Sequence, residues 1–284
     1  MTQQTEKRTA LVLGAGGMAG AAWETGVLRG LLDAGLDVTG ADLVVGSSAG
    51  AVVGARLGAV GLDALYEREL GGEDTEPAAR LGVPTLLRYA VAVLRSRTPE
   101  EYGRRIGRLA LGARTVDEAV RRETVVRRLG PATDWPGRPL LVTAVDAATG
   151  ELVAYDADAG VPLADAVTAS CAVPGLWPPA TVGGRRLIDG GIHSTANAHL
   201  AAGYARVLVV APDGRGSKVI PAPERQGADL AAAGARVEVI TPDADSRAAF
   251  GRNALDPAHR AAAARAGRAQ AARHAEAVTA VWNG

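Results

Sequence analysis

The sequence predicts an α/β fold: a mainly parallel central sheet covered by helices on both faces, with a helical insertion. Three observations carry this. Two apolar runs, "TALVLGAGG" (9–17) and "ADLVVG" (41–46), each end in glycine and lead into a helix-like stretch. Strand character returns after residue 138 and recurs up to residue 242. Neither a repeat nor a linker divides the 284 residues, so one domain is expected over 1–284. Strand, glycine turn and helix in alternation imply parallel strands joined by crossover helices.

Each element follows from its pattern. "MAGAAWETGVLRGLLDAG" (18–35) places apolar residues at helical spacing and ends in glycine. "AGAVVGARLGAV" (49–60) is a small-residue helix. From about 61 to 130 the chain is Arg-rich and mostly helical, with no clear strand. "RPLLVTAVDA" (138–147) and "ELVAYDA" (151–157) are strands joined by the Thr149-Gly150 turn signal. The helix "PLADAVTASCAV" leads through the Pro-rich "VPGLWPPATV" to a short strand in "GGRRLIDGG" (183–191). "ARVLVVAP" (205–212) and "ARVEVITP" (235–242) are further strands, and one Ala/Arg-rich helix is expected over about 257–280.

Composition narrows the function. Thirty-one basic residues balance 31 acidic ones, so no global field draws the chain to nucleic acid or membrane. The single cysteine, Cys171, forms no internal disulfide and fits a reducing compartment. The opening "MTQQTEKRTA" is polar, is expected to fray, and lacks a secretory h-region. A cytoplasmic location follows as an expectation, peripheral to a membrane at most. Lys7 and Lys218 are the two lysines; arginine supplies the other positive charge. The arginine, alanine and glycine load is read as base-composition bias.

The loop "LVLGAGGMAG" has two functional readings. As Gly14-x-Gly16-x-x-Ala19 it matches a dinucleotide fingerprint. That fingerprint expects an acid at the end of the second strand, whereas Asp42 lies at its start, which argues against it. The alternative is an oxyanion hole built from the N–H groups of Gly16, Gly17 and Met18 at a helix entrance. A tight turn explains one or two glycines better than four within seven positions.

Gly46-Ser47-Ser48-Ala49-Gly50 matches G-x-S-x-G with Ser48 at its centre. Residues two before and two after a nucleophile on a sharp strand-to-helix turn come close together, which favours Gly46 and Gly50. Ser47 lacks such flanks and suits a turn or N-cap hydrogen bond. The base has two candidate sources. His193 and His199 fit helix starts as well as catalysis, and His259 and His274 lie in the polar terminal helix, where exposure is expected. Asp189 ends a strand, and Gly190-Gly191 allow a tight turn; burial would raise its pKa enough for direct base catalysis. A plain Asp-Gly turn explains the same residues.

Taken in order, "GAGGMAG", "GSSAG" and "DGG" resemble the patatin-like phospholipases, from about residue 9 to 212. "ASCAVPGLWPPATVGGRRLIDGG" is similar to that family's approach to its aspartate. The resemblance implies an α/β-hydrolase-related fold and a Ser-Asp dyad, with no cofactor or metal. Ser48 would be the acyl nucleophile and Asp189 its proton acceptor. Gly16, Gly17 and Met18 would line the oxyanion hole, with Gly46, Gly50, Gly190 and Gly191 supporting the turns. The implied activity is cleavage of fatty-acyl lipid esters, phospholipase A or lysophospholipase-like, through an acyl-enzyme. The family's loop usually carries Arg or Lys where this chain has Ala19, so a weakly active or non-catalytic lipid binder stays open. A histidine-dependent esterase is the other alternative.

Between Arg80 and Arg128 twelve arginines face five acids, beside the apolar "LGVPTLLRYAVAVLRSR". Either this is an interfacial lid that makes transient contact with anionic lipid, or an amphipathic helix pair with solvated arginines. Few aromatics argue against nucleic acid.

Overall fold

The computed structural model describes residues 8–71 and 78–283. The expected N-terminal tail, residues 1–7, lies outside the described residues. β1 (Thr9–Leu13) leads into α1 (Gly17–Asp33), and β2 (Leu43–Ser47) into α2 (Ala49–Val60). The insertion comprises α3 (Leu62–Gly71), α4 (Val83–Arg95), α5 (Pro99–Leu111) and α6 (Glu118–Leu129). Two of its helix starts carry side-chain caps. Thr98 accepts from the N–H of Glu101 with Pro99 next in the chain, and Asp117 accepts from the N–H of Ala119.

β3 (Leu140–Asp146) and β4 (Leu152–Tyr155) form a hairpin; α7 (Leu163–Ser170) then precedes β5 (Ala180–Val182) and β6 (Arg185–Asp189). The chain continues through β7 (Arg206–Val210), α8 (Pro223–Ala232), β8 (Arg236–Ile240), α9 (Ala244–Ala249), α10 (Arg260–Ala271) and α11 (Ala275–Trp282). The terminal helix expected as one piece is therefore two. α10 lies along α1, whereas α11 packs on β7 and β8, and the break at 272–274 allows the change of direction.

Hydrogen bonding links the strands in the order β5-β6-β3-β2-β1-β7-β8, with β4 also on β3. The run β3-β2-β1-β7-β8 is parallel throughout, and β4 and β6 are antiparallel to β3. β1 shows why both faces are covered. Leu11 and Leu13 enter one core with α1, α2, α7 and α10, while Ala10 and Val12 enter another with Leu230 of α8. A strand buried on both faces needs apolar residues at every position, which "ALVL" supplies. A third cluster joins the insertion to the sheet: Ala92, Tyr102 and Ile106 meet Val145, Ile188 and Ile192.

The alanine and glycine content also has a packing role that a composition bias leaves out. A Cβ at Gly26 would lie 2.1 Å from the carbonyl oxygen of Ala264, and one at Gly267 2.3 Å from that of Trp23. Only glycine permits this approach of α10 to α1.

The register around β3 positions the site. β4 pairs with Val142–Val145 along one edge. Since β2 pairs with 140–143 and β6 with 144–146, those two strands share the opposite edge. They run toward each other, so their C-terminal ends meet.

Candidate active site

Between β2 and α2 the chain turns at Ser48, with φ 52° and ψ −107°. A residue with a side chain in the left-handed half of backbone space costs about 1–3 kcal/mol and persists only where its surroundings hold it. The flanking glycines make the turn sterically allowed: a Cβ at Gly50 would stand 2.1 Å from the carbonyl oxygen of Leu13, and one at Gly46 2.7 Å from Cα of Ala51. The N–H of Ser48 donates to Oγ of Ser170 (2.8 Å), and its carbonyl accepts from Sγ of Cys171 (3.4 Å). Strain at this turn is thus held from the end of α7.

Oγ of Ser48 donates to Oδ2 of Asp189 across 2.7 Å. Oδ1 of Asp189 accepts from the N–H of Gly191 (2.8 Å), which fixes the carboxylate plane. Gly190 passes so close to β3 that a Cβ there would meet Oγ1 of Thr143 at 2.2 Å. Asp189 is 5% exposed. Burial pushes its carboxyl up to about 6, against the opposing pull of the Ser48 hydroxyl, the Gly191 N–H and the Arg121 charge.

Ser47 points elsewhere. Its hydroxyl shares a hydrogen bond with Thr143 (2.7 Å) and accepts from Nδ2 of Asn197 (2.9 Å), so it ties strands together and caps no helix. Asn197, itself at φ 55°, also donates to the carbonyls of Gly190 (3.1 Å) and Ser194 (3.0 Å). One amide thereby braces both turns, the serine turn through Ser47 and the aspartate turn through Gly190.

Gly16 and Gly17 line a cleft of about 800 Å³ together with Ser48 and Asp189. Met18, Gly17 and Ser48 share a smaller recess of about 30 Å³. Gly16 precedes α1, and among the described residues the N–H groups of Gly16, Gly17 and Met18 find no backbone acceptor, whereas that of Ala19 is taken by Ala254 (2.9 Å). Ala19 is fully buried in the core.

Among the described residues no histidine is hydrogen-bonded to Ser48. Nδ1 of His193 meets Oδ1 of Asn197 (3.2 Å), and its ring lies 5.5 Å from that of His199. Burial lowers the pKa of both rings. His259 and His274 are half-buried instead of exposed, because α10 packs along α1 and α11 on β7 and β8; Nδ1 of His274 contacts Glu238 of β8 (2.9 Å). Asp42 accepts from the N–H of Thr9 (2.7 Å), a strand-start contact.

Two charged residues near the site escape sequence reading. Arg121 of α6 is 4% exposed, stacks 4.0 Å over the ring of Trp177, and lines the small recess with Ser48. It is one of the twelve arginines between Arg80 and Arg128, and no local pattern marks it as the one turned inward. Glu24 of α1 is fully buried, and among the described residues neither carboxyl oxygen has a hydrogen-bond partner. Burial raises its pKa well above the usual range. An acid placed among apolar residues in the middle of α1 was the available signal.

Fold and site together define an α/β protein built around a strained strand-to-helix serine turn. The chain belongs to the patatin-like phospholipase family, whose model matches residues 11–202. Uncharacterized NTE family proteins of Mycobacterium bovis and Mycobacterium tuberculosis are each 32% identical over 222 residues, covering 76% of this chain and 51% of theirs. The chain thus spans about half the length of the curated relatives it matches. Among solved structures, VipD from Legionella pneumophila aligns with 66% of this chain and 46% of its own (TM-score 0.37, 16% identity). The type III effector ExoU aligns with 95% of this chain and 53% of its own (TM-score 0.40, 17% identity).

Proposed function

We propose that this chain is a serine-dependent lipid acyl hydrolase that cleaves fatty-acyl esters through Ser48 and Asp189. The observation that carries the reading is the 2.7 Å hydrogen bond between them at a backbone position held under strain. Membership of the patatin-like phospholipase family supports the substrate class.

In this mechanism Oγ of Ser48 attacks the ester carbonyl carbon as its proton passes to Oδ2 of Asp189. The carbonyl oxygen gains the negative charge and is received by the N–H groups of Gly16, Gly17 and Met18, preorganised at the positive end of α1. Collapse expels the alcohol oxygen, which takes the proton back from Asp189 and leaves an acyl ester on Ser48. Water then enters, gives a proton to Asp189 as its oxygen attacks the acyl carbon, and the free acid departs as Ser48 is reprotonated. Asp189 suits both directions, since a carboxyl near 6 is ionised at neutral pH yet basic enough to accept a proton.

Arg121 supplies positive potential beside Ser48 that position 19 does not. The cleft has the amphiphilic lining a lipid ester needs: Val173, Ile192 and Leu255 supply apolar surface, and Arg215 and Arg252 supply positive groups. Phospholipase A or lysophospholipase chemistry is the finer assignment. A fluorophosphonate probe tests the reaction class: wild type is labelled and Ser48→Ala is not. Absence of labelling on folded wild type overturns the proposal. An ester panel of graded chain length, including phospholipid and lysophospholipid, then ranks substrates.

A further inference from the structure

α4 is apolar on two faces, and the fold uses only one. Tyr89, Ala92 and Val93 turn toward the third core cluster. Val83, Leu86, Leu87, Val91 and Leu94 are exposed, Leu94 by 72%. At about 100° per residue these five lie on one continuous stripe, opposite the packed face. Arg88 and Arg95 fall along its border, and Arg105 and Arg108 of α5 join them around a shallow groove of about 340 Å³ that also includes Leu87 and Val91. Among the described residues no acidic side chain pairs with these four arginines.

The exposed face belongs to a firmly held helix. The hydroxyl of Tyr89 donates to the carbonyl of Pro174 (2.8 Å), and Nζ of Lys218 donates to that of Leu94 at the helix end (2.6 Å). The same helix also reaches the site: Tyr89, together with Leu81 just before α4, lines the cleft containing Ser48 and Asp189. One side of α4 therefore borders the chemistry while the other faces solvent with apolar groups and a rim of positive charge.

We infer that α4 docks the protein on an anionic lipid surface, with Leu87, Val91 and Leu94 entering the acyl boundary and Arg88, Arg95, Arg105 and Arg108 meeting lipid phosphates. The choice of lipid as the partner rests on the proposed lipid hydrolase reading; the apolar stripe and its cationic rim are independent of it. No described helix is long and apolar enough to cross a membrane, so the contact is a surface one. Apolar insertion plus attraction to anionic lipid is the combination that holds amphipathic helices at an interface, and it would place substrate lipid beside the mouth of the cleft.

Sedimentation with vesicles tests this on the full chain. Wild type is expected to partition onto phosphatidylglycerol-containing vesicles, with weaker binding to pure phosphatidylcholine and loss at high salt. The double variant Leu87→Ser/Leu94→Ser should lose at least about tenfold in partitioning on both lipids. Arg88→Gln/Arg95→Gln should lose about fivefold per charge on the anionic vesicles and little on the neutral ones. Both variants should keep wild-type hydrolysis of a soluble short-chain ester. Ser48→Ala should bind vesicles as wild type does while losing hydrolysis, which separates failure of the docking face from failure of the proposed reaction. Vesicle binding unchanged in the leucine variant overturns the inference. So does wild-type self-association, seen by light scattering, that the leucine variant abolishes, since a second copy would then cover the face.

Discussion

Ser47 and Asp189 pair with adjacent residues of β3, Thr143 and Ala144 respectively. β2 and β6 meet end to end along that edge, so the residue after Ser47 lies within hydrogen-bond reach of Asp189 although 141 positions separate them in sequence. A third element, the Asn197 amide, holds both ends in place. The Ser–Asp pair is thus a consequence of sheet register, and its chemistry can be tested group by group.

Asp189→Asn should lower hydrolysis about 10²–10⁴-fold, the usual worth of a positioned general base, and Ser48→Ala by at least about 10³-fold. His193→Ala should cost little in rate, because its ring bonds to Asn197 and not to Ser48. Steady-state rates on one soluble ester decide the matter. A histidine variant that abolishes activity while Asp189→Asn merely weakens it would establish a histidine-dependent esterase.

The pH profile follows from the carboxyl at about 6. Asp189 must be ionised to accept the Ser48 proton, so kcat/KM should be level above that pH and fall about tenfold per unit below it. A profile that stays level down to about pH 4.5, close to an ordinary carboxylate, would contradict the role of Asp189.

Arg121 gives a directional test. Its charge holds the Asp189 carboxyl down, so Arg121→Gln should move the acid limb toward higher pH as well as lower kcat, by about tenfold. Arg121→Lys should restore part of both. A melting curve controls for the lost stacking on Trp177. Loss of kcat without movement of the acid limb would leave only a packing role.

Glu24 governs stability and not rate. Its folded pKa is raised by burial, so its contribution is fully present below the ordinary glutamate range, about 4.3, and is lost as pH rises through the folded value. Glu24→Gln should therefore raise Tm at neutral pH, by roughly 2–4 °C for each kcal/mol recovered, with little gain near pH about 4. Thermal scans at the two pH values check this; an equal shift at both would refute it.

Much of this architecture was legible because local chemistry demands it. Gly46 and Gly50 are needed wherever a turn brings Leu13 and Ala51 against the backbone, and that need is written in the spacing of "GSSAG". The strands were legible from apolar runs, and the insertion from the absence of such runs. The exposure expected for His259 and His274 was wrong because the terminal helices pack on α1 and on the edge of the sheet, a long-range contact that periodicity does not reveal.

The sequence by itself determined the parallel α/β class, the serine turn, the glycine loop and the aspartate turn, since each depends on residues within a few positions of one another. Tertiary structure decided which candidate base Ser48 hydrogen-bonds, which of the twelve arginines between Arg80 and Arg128 turns inward beside it, and which face of α4 is left to solvent. Those outcomes depend on register and helix packing between distant segments, where hydrogen bonding along β3 and burial against neighbouring helices select among side chains that are locally equivalent.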